Sequence, residues 1–378
     1  MHWQDREAWI WSYGVYTRYP FQGALYGLPP QMLEECLVGA IEARFGPLQE
    51  GTAGAAVRDA PHNFEEFIYS VWGADVARHF AIPYNRKLWA VPLNETETSW
   101  LGGRVQLPNL EEMIEGALSP APKPMGPDAR FGYPLRGGFQ ALMDGFLPLL
   151  QGELRHHAEV CAVSPRRHTV RLTDGSMYRY ERLISTLALP KLVEALGEEA
   201  PPEVRAAARG LRHVSVRCVN LGIGREGLTD KHWIYYPEDT VFHRIFVQGN
   251  ASPHCNPPGG FGLTGEISHS PQKLLPVEGD ALIARCIEDC CRVGIIRDDD
   301  RIIAAHQLDL PVAYVVYDHA RAASVDLIRE WLLSHDIILA GRYAEWEYYN
   351  SDHAFLAGKR AAEAALTPAA APVAARIA

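Results

Sequence analysis

The hydrophobic period of this chain changes along its length, and that change limits the folds open to it more than any single motif does. After Pro29-Pro30, the residues Leu33, Leu37, Ala40 and Ile41 recur at the spacing of one helix face. Phe64, Phe67, Ile68, Val71 and Trp72 repeat that spacing, and Asn63 with Glu66 stands where a capping box would open the helix. Residues 29–92 therefore read as a helical subdomain. Ahead of them, the aromatic and β-branched stretches 8–11 and 15–19 flank Gly14, which is hairpin chemistry. Beyond 160 the pattern turns to strands.

The segment 103–136 is rich in Pro and Gly and reads as loop with a short helix near 109–117, and a helix is expected over 138–150. Strands are expected at 160–163, 169–172 and 177–180, the last two joined by Asp174-Gly175. The apolar run 183–189 is expected to be a strand buried on both faces. From 213 to 317 strands dominate (214–221, 233–236, 242–247, 262–267), with a helix near 279–292. A helix at 324–334, the apolar strand 337–340, a loop and a helix from Asp352 follow, and the Ala/Pro-rich tail after Thr367 is expected to be disordered. This order fits an α/β plus α+β mixture: an α/β framework with a helical insertion and a mostly antiparallel sheet.

Composition removes some functions. The 36 Lys and Arg against 46 Asp and Glu give a formal charge of -10, and no basic run offsets it. Binding to a nucleic-acid backbone is thus not expected, although a few local arginines suffice for a small anion. Seven irregularly spaced cysteines read as buried or half-buried thiols, not as a disulfide framework, and no Cys/His spacing predicts a metal. The first residues lack the pattern of a signal peptide, and no run approaches the roughly 18 apolar residues of a membrane span, so the expected compartment is the cytoplasm.

Gly222-Ile223-Gly224-Arg225-Glu226-Gly227 spells the dinucleotide fingerprint, but the motif works only on a strand-to-helix turn. Strand-like Trp233-Ile234-Tyr235-Tyr236 follows it, so a turn between antiparallel strands is expected.

Four clusters combine arginine, tyrosine and asparagine in Pro/Gly-punctuated stretches. They are Tyr19-Pro20-Phe21-Gln22; the stretch from Pro83 to Trp89 with Trp100 to Arg104; the stretch from Asp230 to Asp239 running into Arg244; and the stretch from Gly341 to Asp352. Any one tyrosine or arginine is more often a packing or surface residue. Together they suit a nucleotide sugar, because guanidinium forks bind phosphate oxygens and aromatic faces cover rings. The fourth cluster also puts an arginine and a helix start after an apolar strand, a usual place for an anionic cofactor group, although Asn350, Ser351 or Asp352 could serve only as an N-cap.

In this order, and with Gly126-Pro127-Asp128-Ala129-Arg130 and Gly137-Gly138, the clusters resemble eukaryotic-type UDP-galactopyranose mutases over residues 16–365, within the wider amine oxidase and protoporphyrinogen oxidase flavoproteins. The resemblance implies an incomplete Rossmann-like FAD-binding domain, a helical insertion and a mostly antiparallel substrate-binding sheet. It implies sheet-domain strands at 1–28, a helical subdomain at 29–100, FAD-binding segments at 101–204 and 321–366, the substrate-binding sheet at 205–320 and the tail at 367–378. It implies a redox-neutral ring contraction of a UDP-sugar through a reduced-flavin N5–sugar adduct. Arg104 and Arg244 resemble the arginines that grip the diphosphate, and Tyr348 and Asn350 match positions beside the phosphates and sugar. Tyr19, Gln22, Asn85, Trp89 and Tyr235 resemble substrate contacts. Asp128 stands where the family has Asn, and near Val312 the family's phosphate-binding tyrosine is missing, with Tyr314 and Tyr317 as candidate substitutes. Arg342, Val160 and Asp352 correspond to cofactor-binding positions. The expected cofactor is FAD in its reduced form, with NAD(P)H as a candidate reductant, and a homo-oligomer is left open.

The family's first βαβ unit, which carries its glycine fingerprint, falls ahead of residue 1 in this comparison and is expected to be missing. Three readings therefore stand: a UDP-sugar mutase, an FAD-dependent oxidoreductase acting on another biosynthetic substrate, and a truncated, non-catalytic remnant.

Overall fold

The computed structural model describes residues 1–46, 60–102, 105, 107–120 and 129–367. The chain divides into two units: Met1–Gly152 with Val214–Ala313, and Glu153–His213 with the residues from Tyr314 on.

The first unit is built on a seven-stranded sheet. Its strands are β2 (Ala8–Ser12), β3 (Val15–Arg18), β9 (His213–Ile223), β10 (Trp233–Tyr235), β11 (Arg244–Phe246), β12 (Phe261–His269) and β13 (Ile302–Val315), in the order β13-β9-β12-β11-β10-β2-β3. A further strand, β1 (His2–Asp5), pairs with β4 (Arg130–Tyr133). β10 runs parallel to β2, whereas β10–β11, β11–β12, β12–β9 and β2–β3 are antiparallel, as the alternating patterns predict. The β2–β3 hairpin turns at Tyr13 and Gly14, both with positive φ, which matches the right-handed twist of the strands.

Register decides what each face of the sheet carries. Ile234, Ile245 and Gly265 are cross-strand partners on β10, β11 and β12. They face the helix α8 (Asp280–Arg292), whose Leu282, Cys286 and Cys290 join Val219, Leu221 and Phe242 in the core. A Cβ on Gly265 would lie 2.9 Å from Cys286 Sγ, so the bare backbone is what lets the helix sit this close. One residue further on, Tyr235, Arg244 and Glu266 form the next row and point the opposite way, because strand side chains alternate with period two.

The expected helices are present in the helical part. α1 (Pro30–Phe45) starts on its prolines, and α2 (Phe64–Val76) is capped by Asn63, whose side chain accepts from the Glu66 amide. A π-helical turn at Ala77–Ala81 continues into α3 (Ile82–Trp89), and α4 (Leu110–Leu118) carries a full capping box at Asn109 and Glu112. Gly73 breaks the helical dihedrals of α2 at φ 84 and touches the backbone of Gly39 on α1.

Gly222 and Gly224 lie on and just past the end of β9, against β13, and a turn leads on to β10 without a helix, as the context predicted. The helix expected over 138–150 is instead α5 (Gln140–Asp144) and a 3-10 turn at Leu147–Leu149. Gly137 and Gly138 have positive φ, Gly145 follows α5 and Pro148 opens the next turn, so the ladder cannot run through.

The second unit holds a three-stranded antiparallel sheet of β5 (Val160–Ser164), β6 (Thr169–Leu172) and β7 (Met177–Arg179). It also holds a parallel pair, β8 (Leu183–Ser185) with β14 (Ile337–Leu339). The run 183–189 is not a strand buried on both faces: β8 is three residues long, and Ile184 is 41% and Leu187 40% exposed. Leu189, Leu192, Val193 and Leu196 follow at helix spacing and bury as α6 (Leu189–Leu196), so the end of the run belongs to a helix. α7 (Pro202–Gly210), α9 (Arg321–Leu333) and α10 (Ser351–Leu366) complete the unit. The tail from 368 on lies outside the described residues. All seven cysteines are free thiols, and Cys161 is exposed where a buried or half-buried thiol was expected, because it sits on β5 with its side chain toward solvent. Among the described residues no helix is long and apolar enough to cross a membrane.

Candidate active site

In the first unit, the row Tyr235–Arg244–Glu266 is the centre of an aromatic and cationic wall. Tyr19, just past β3, is held by its amide on the Ala8 carbonyl at 3.0 Å, and its ring stacks on Tyr235 at 4.7 Å between centroids and 19° between planes. Tyr84 on α3 meets the same ring edge-on at 5.6 Å and is itself stacked on Phe80. Arg6 donates to the Tyr235 hydroxyl at 3.1 Å and lies over the Trp233 ring at 5.1 Å. Arg244 forks onto Glu266, from Nε at 3.1 Å and Nη2 at 2.6 Å, which fixes the plane of its guanidinium. Next to it His243 is fully buried; desolvation, then Arg244, Lys87 and Lys273, push its pKa well down, so it is neutral. A flat aromatic stack flanked by two guanidinium groups can hold a planar ring and an attached anion.

The other predicted residues of this unit have their own places. Gln22 is buried in the 3-10 turn Phe21–Gly23. Asn85 donates from Nδ2 to the Ala81 carbonyl inside its helix, and Trp89 packs edge-on against Trp100 at 4.8 Å. Arg104 and Asp128 lie outside the described residues. Glu35, Asp75 and His79 bring ligand-type atoms within 4.8 Å of one another, but Arg78 donates to both carboxylates and His79 hydrogen-bonds Tyr13 and Glu35, which makes the group an ion-pair network.

In the second unit, the loop after β14 carries Arg342. Its guanidinium donates to the Tyr349 carbonyl at 2.6 Å and lies over the rings of Tyr348 at 4.8 Å, Tyr314 at 5.4 Å and Tyr343 at 5.7 Å. The loop is anchored by fully buried Trp346, whose carbonyl accepts from Arg321, and Arg321 also pairs with Glu347 at 2.6 Å. The Tyr317 hydroxyl donates to Glu347 and accepts from the Tyr348 amide; burial and then Glu347 push its pKa up. Of the two candidate tyrosines near Val312, Tyr314 therefore joins the arginine cluster, and Tyr317 serves the loop. Asn350 is the exposed cap residue of α10 and makes no side-chain cap hydrogen bond, while Asp352 lies in the first turn. Val160 opens β5 opposite Leu172.

Sequence reasoning missed Arg6, Tyr84 and Glu266. Arg6 carries no local signal, since its partner Tyr235 is 229 positions away. Tyr84 sits inside a cluster already singled out, and Glu266 could have been found as the lone acid in the apolar strand 262–267.

A family model described as flavin containing amine oxidoreductase matches residues 73–366. The fold is similar to that of a reduced UDP-galactopyranose mutase, with a TM-score of 0.84 and 28% identity over 94% of this chain and 76% of that one. It is also similar, in fold alone, to a protein from Exiguobacterium sp. 255-15 assigned as a protoporphyrinogen oxidase (TM-score 0.66, 14% identity, 96% and 82% of the two chains). An oxidoreductase from Methanosarcina mazei matches at a TM-score of 0.61 with 11% identity over 96% of this chain and 82% of that one.

Proposed function

The chain belongs to the flavin containing amine oxidoreductase family, and from that premise we propose that it is a UDP-galactopyranose mutase-like flavoprotein that interconverts the ring forms of a UDP-sugar. The observation that carries the reading is the Tyr19–Tyr235 stack with Arg244 in the next strand, in a chain 28% identical to a mutase over 94% of its length.

The residues suit such a substrate. Half-buried Tyr19, backed by the buried rings of Tyr235 and Tyr84, offers a ring face to a base or sugar, and Arg6 and Arg244 offer positive charge to its phosphates. Departure of UDP from the sugar builds negative charge on the leaving diphosphate, and fixed guanidinium groups stabilise it without reorganising. Because UDP returns to the same carbon, no net oxidation is required.

The α10 N-terminus leaves its first amides without a side-chain cap, and Arg342 lies in the preceding loop, so this end of the second unit fits an anionic cofactor group. The glycine motif at 222–227 joins two strands and does not offer a helix N-terminus to a pyrophosphate. In this reading Arg342, Tyr348 and the start of α10 would hold an anionic group of the cofactor. A bound, reduced flavin would supply nucleophilic chemistry toward the sugar's anomeric carbon.

Chemically reduced protein given UDP-galactopyranose should form the furanose, resolved by anion-exchange chromatography. A yellow, FAD-bearing protein that never yields it would refute the mutase reading. Glu266 beside Arg244 favours a second reading, an oxidoreductase on a less anionic substrate, since the pair offsets part of that arginine's charge. Oxygen consumption independent of UDP would distinguish it.

A further inference from the structure

A separate cavity of about 840 Å³ opens in the first unit between α3, the 237–241 turn, the end of β12, the loop before α8 and the start of that helix. Pro83, Arg86 and Lys87 share the face of α3 that lines it, whereas Asn85 and Trp89 lie at helix positions on the other side. Tyr19, Tyr84, Tyr235, Arg6 and Arg244 are not among its lining residues, so the cavity is distinct from the aromatic wall.

Its inner end is cationic. Lys87 Nζ donates to the carbonyls of Tyr236 and Glu238, each at 2.8 Å, and to the Thr240 hydroxyl at 2.7 Å. Lys273 Nζ donates to the carbonyls of Ser268 at 3.0 Å and Lys87 at 3.4 Å. All these acceptors are neutral. The nearby acids are engaged elsewhere or solvated: the Glu238 carboxylate accepts from Ser12 and the Tyr13 amide, Asp289 from Arg285, Arg292 and the Val241 amide, and Asp239 and Glu288 are exposed. Burial and then Lys273 bring the Lys87 pKa down to about 7, and burial lowers that of Lys273. The outer wall is apolar, and on it Leu274 is 76% exposed.

We propose that this cavity binds an amphipathic monoanion, a carboxylate on an apolar body, with its head at Lys273 and its body along Leu274, Leu275 and Val277. Among the described residues neither lysine has a carboxylate partner, and Lys273 keeps one ammonium hydrogen beyond its two carbonyl acceptors, so a bound anion gains there, while covering the leucine wall removes apolar area from water. The cavity has the size of a small-molecule site.

Isothermal titration of the full chain with decanoate, acetate and decanol tests the assignment. Decanoate should bind at one site per chain, with acetate and decanol each at least about tenfold weaker. Leu274→Asp, at an exposed position, and Lys273→Gln should each weaken decanoate by about tenfold, with unchanged thermal melting as the check on folding. Equal binding of decanol, decanoate binding untouched by Leu274→Asp, or no decanoate binding up to its solubility would overturn it.

Discussion

Arg244 holds two neighbours at once: its fork onto Glu266 sets its plane, and its face lies toward the Tyr235 ring at 6.0 Å. A lysine cannot reproduce a planar fork. Arg244→Lys should therefore lower kcat/KM for the UDP-sugar by about tenfold or more, measured in the furanose assay, while the fold persists. A second residue-scale expectation concerns acid. Arg225 holds both oxygens of Asp300, at 2.6 and 2.7 Å, and this hydrogen bonding lowers the Asp300 pKa to about 2. A carboxylate with a lowered folded pKa contributes stability above its unfolded value, about 4, and loses it as pH falls through the folded value. Asp300→Asn should thus flatten the loss of stability between about pH 4 and pH 2 in urea titrations, since the group that takes up the proton is gone. An acid limb identical in the two proteins would contradict this.

At the scale of elements, α1 and α2 cross where two glycines meet. A Cβ on Gly73 would stand 2.2 Å from the Gly39 carbonyl oxygen, at a φ of 84 that suits glycine alone. Gly73→Ala should cost roughly 3 kcal/mol or prevent folding, read from chemical denaturation, because neither backbone can yield without parting the helices. This contact shows what sequence could not supply. The Asn63 cap, the proline start of α1 and the strand alternation were legible, since each depends on residues close in the chain. The run 183–189 misled because short apolar runs look alike in strands and helices, and only Leu192, Val193 and Leu196 decide for a helix. The site behaved the same way. Tyr235 and Arg244 fall in one short stretch and could be grouped by eye, whereas Glu266 and Arg6 reach them only through strand register.

Across the whole molecule, the two units each carry an arginine set among tyrosines, Arg244 in one and Arg342 in the other. If FAD is the cofactor, binding to the folded chain alone must stabilise it by mass action. At a hundredfold excess over Kd, that amounts to about 2.7 kcal/mol. Differential scanning fluorimetry should then show a higher Tm with FAD, and a smaller rise in Arg342→Ala. An FAD-independent Tm, together with a colourless purified protein, would contradict the cofactor assignment.

The row of Tyr235, Arg244 and Glu266 sits on adjacent strands, so backbone hydrogen bonds space its members at about 4.8 Å per rung. Side chains there can be exchanged without altering the interval between them. Which ligand charge the wall tolerates is therefore adjustable at the Glu266 rung alone, as one string of an instrument is retuned while the frame keeps its shape.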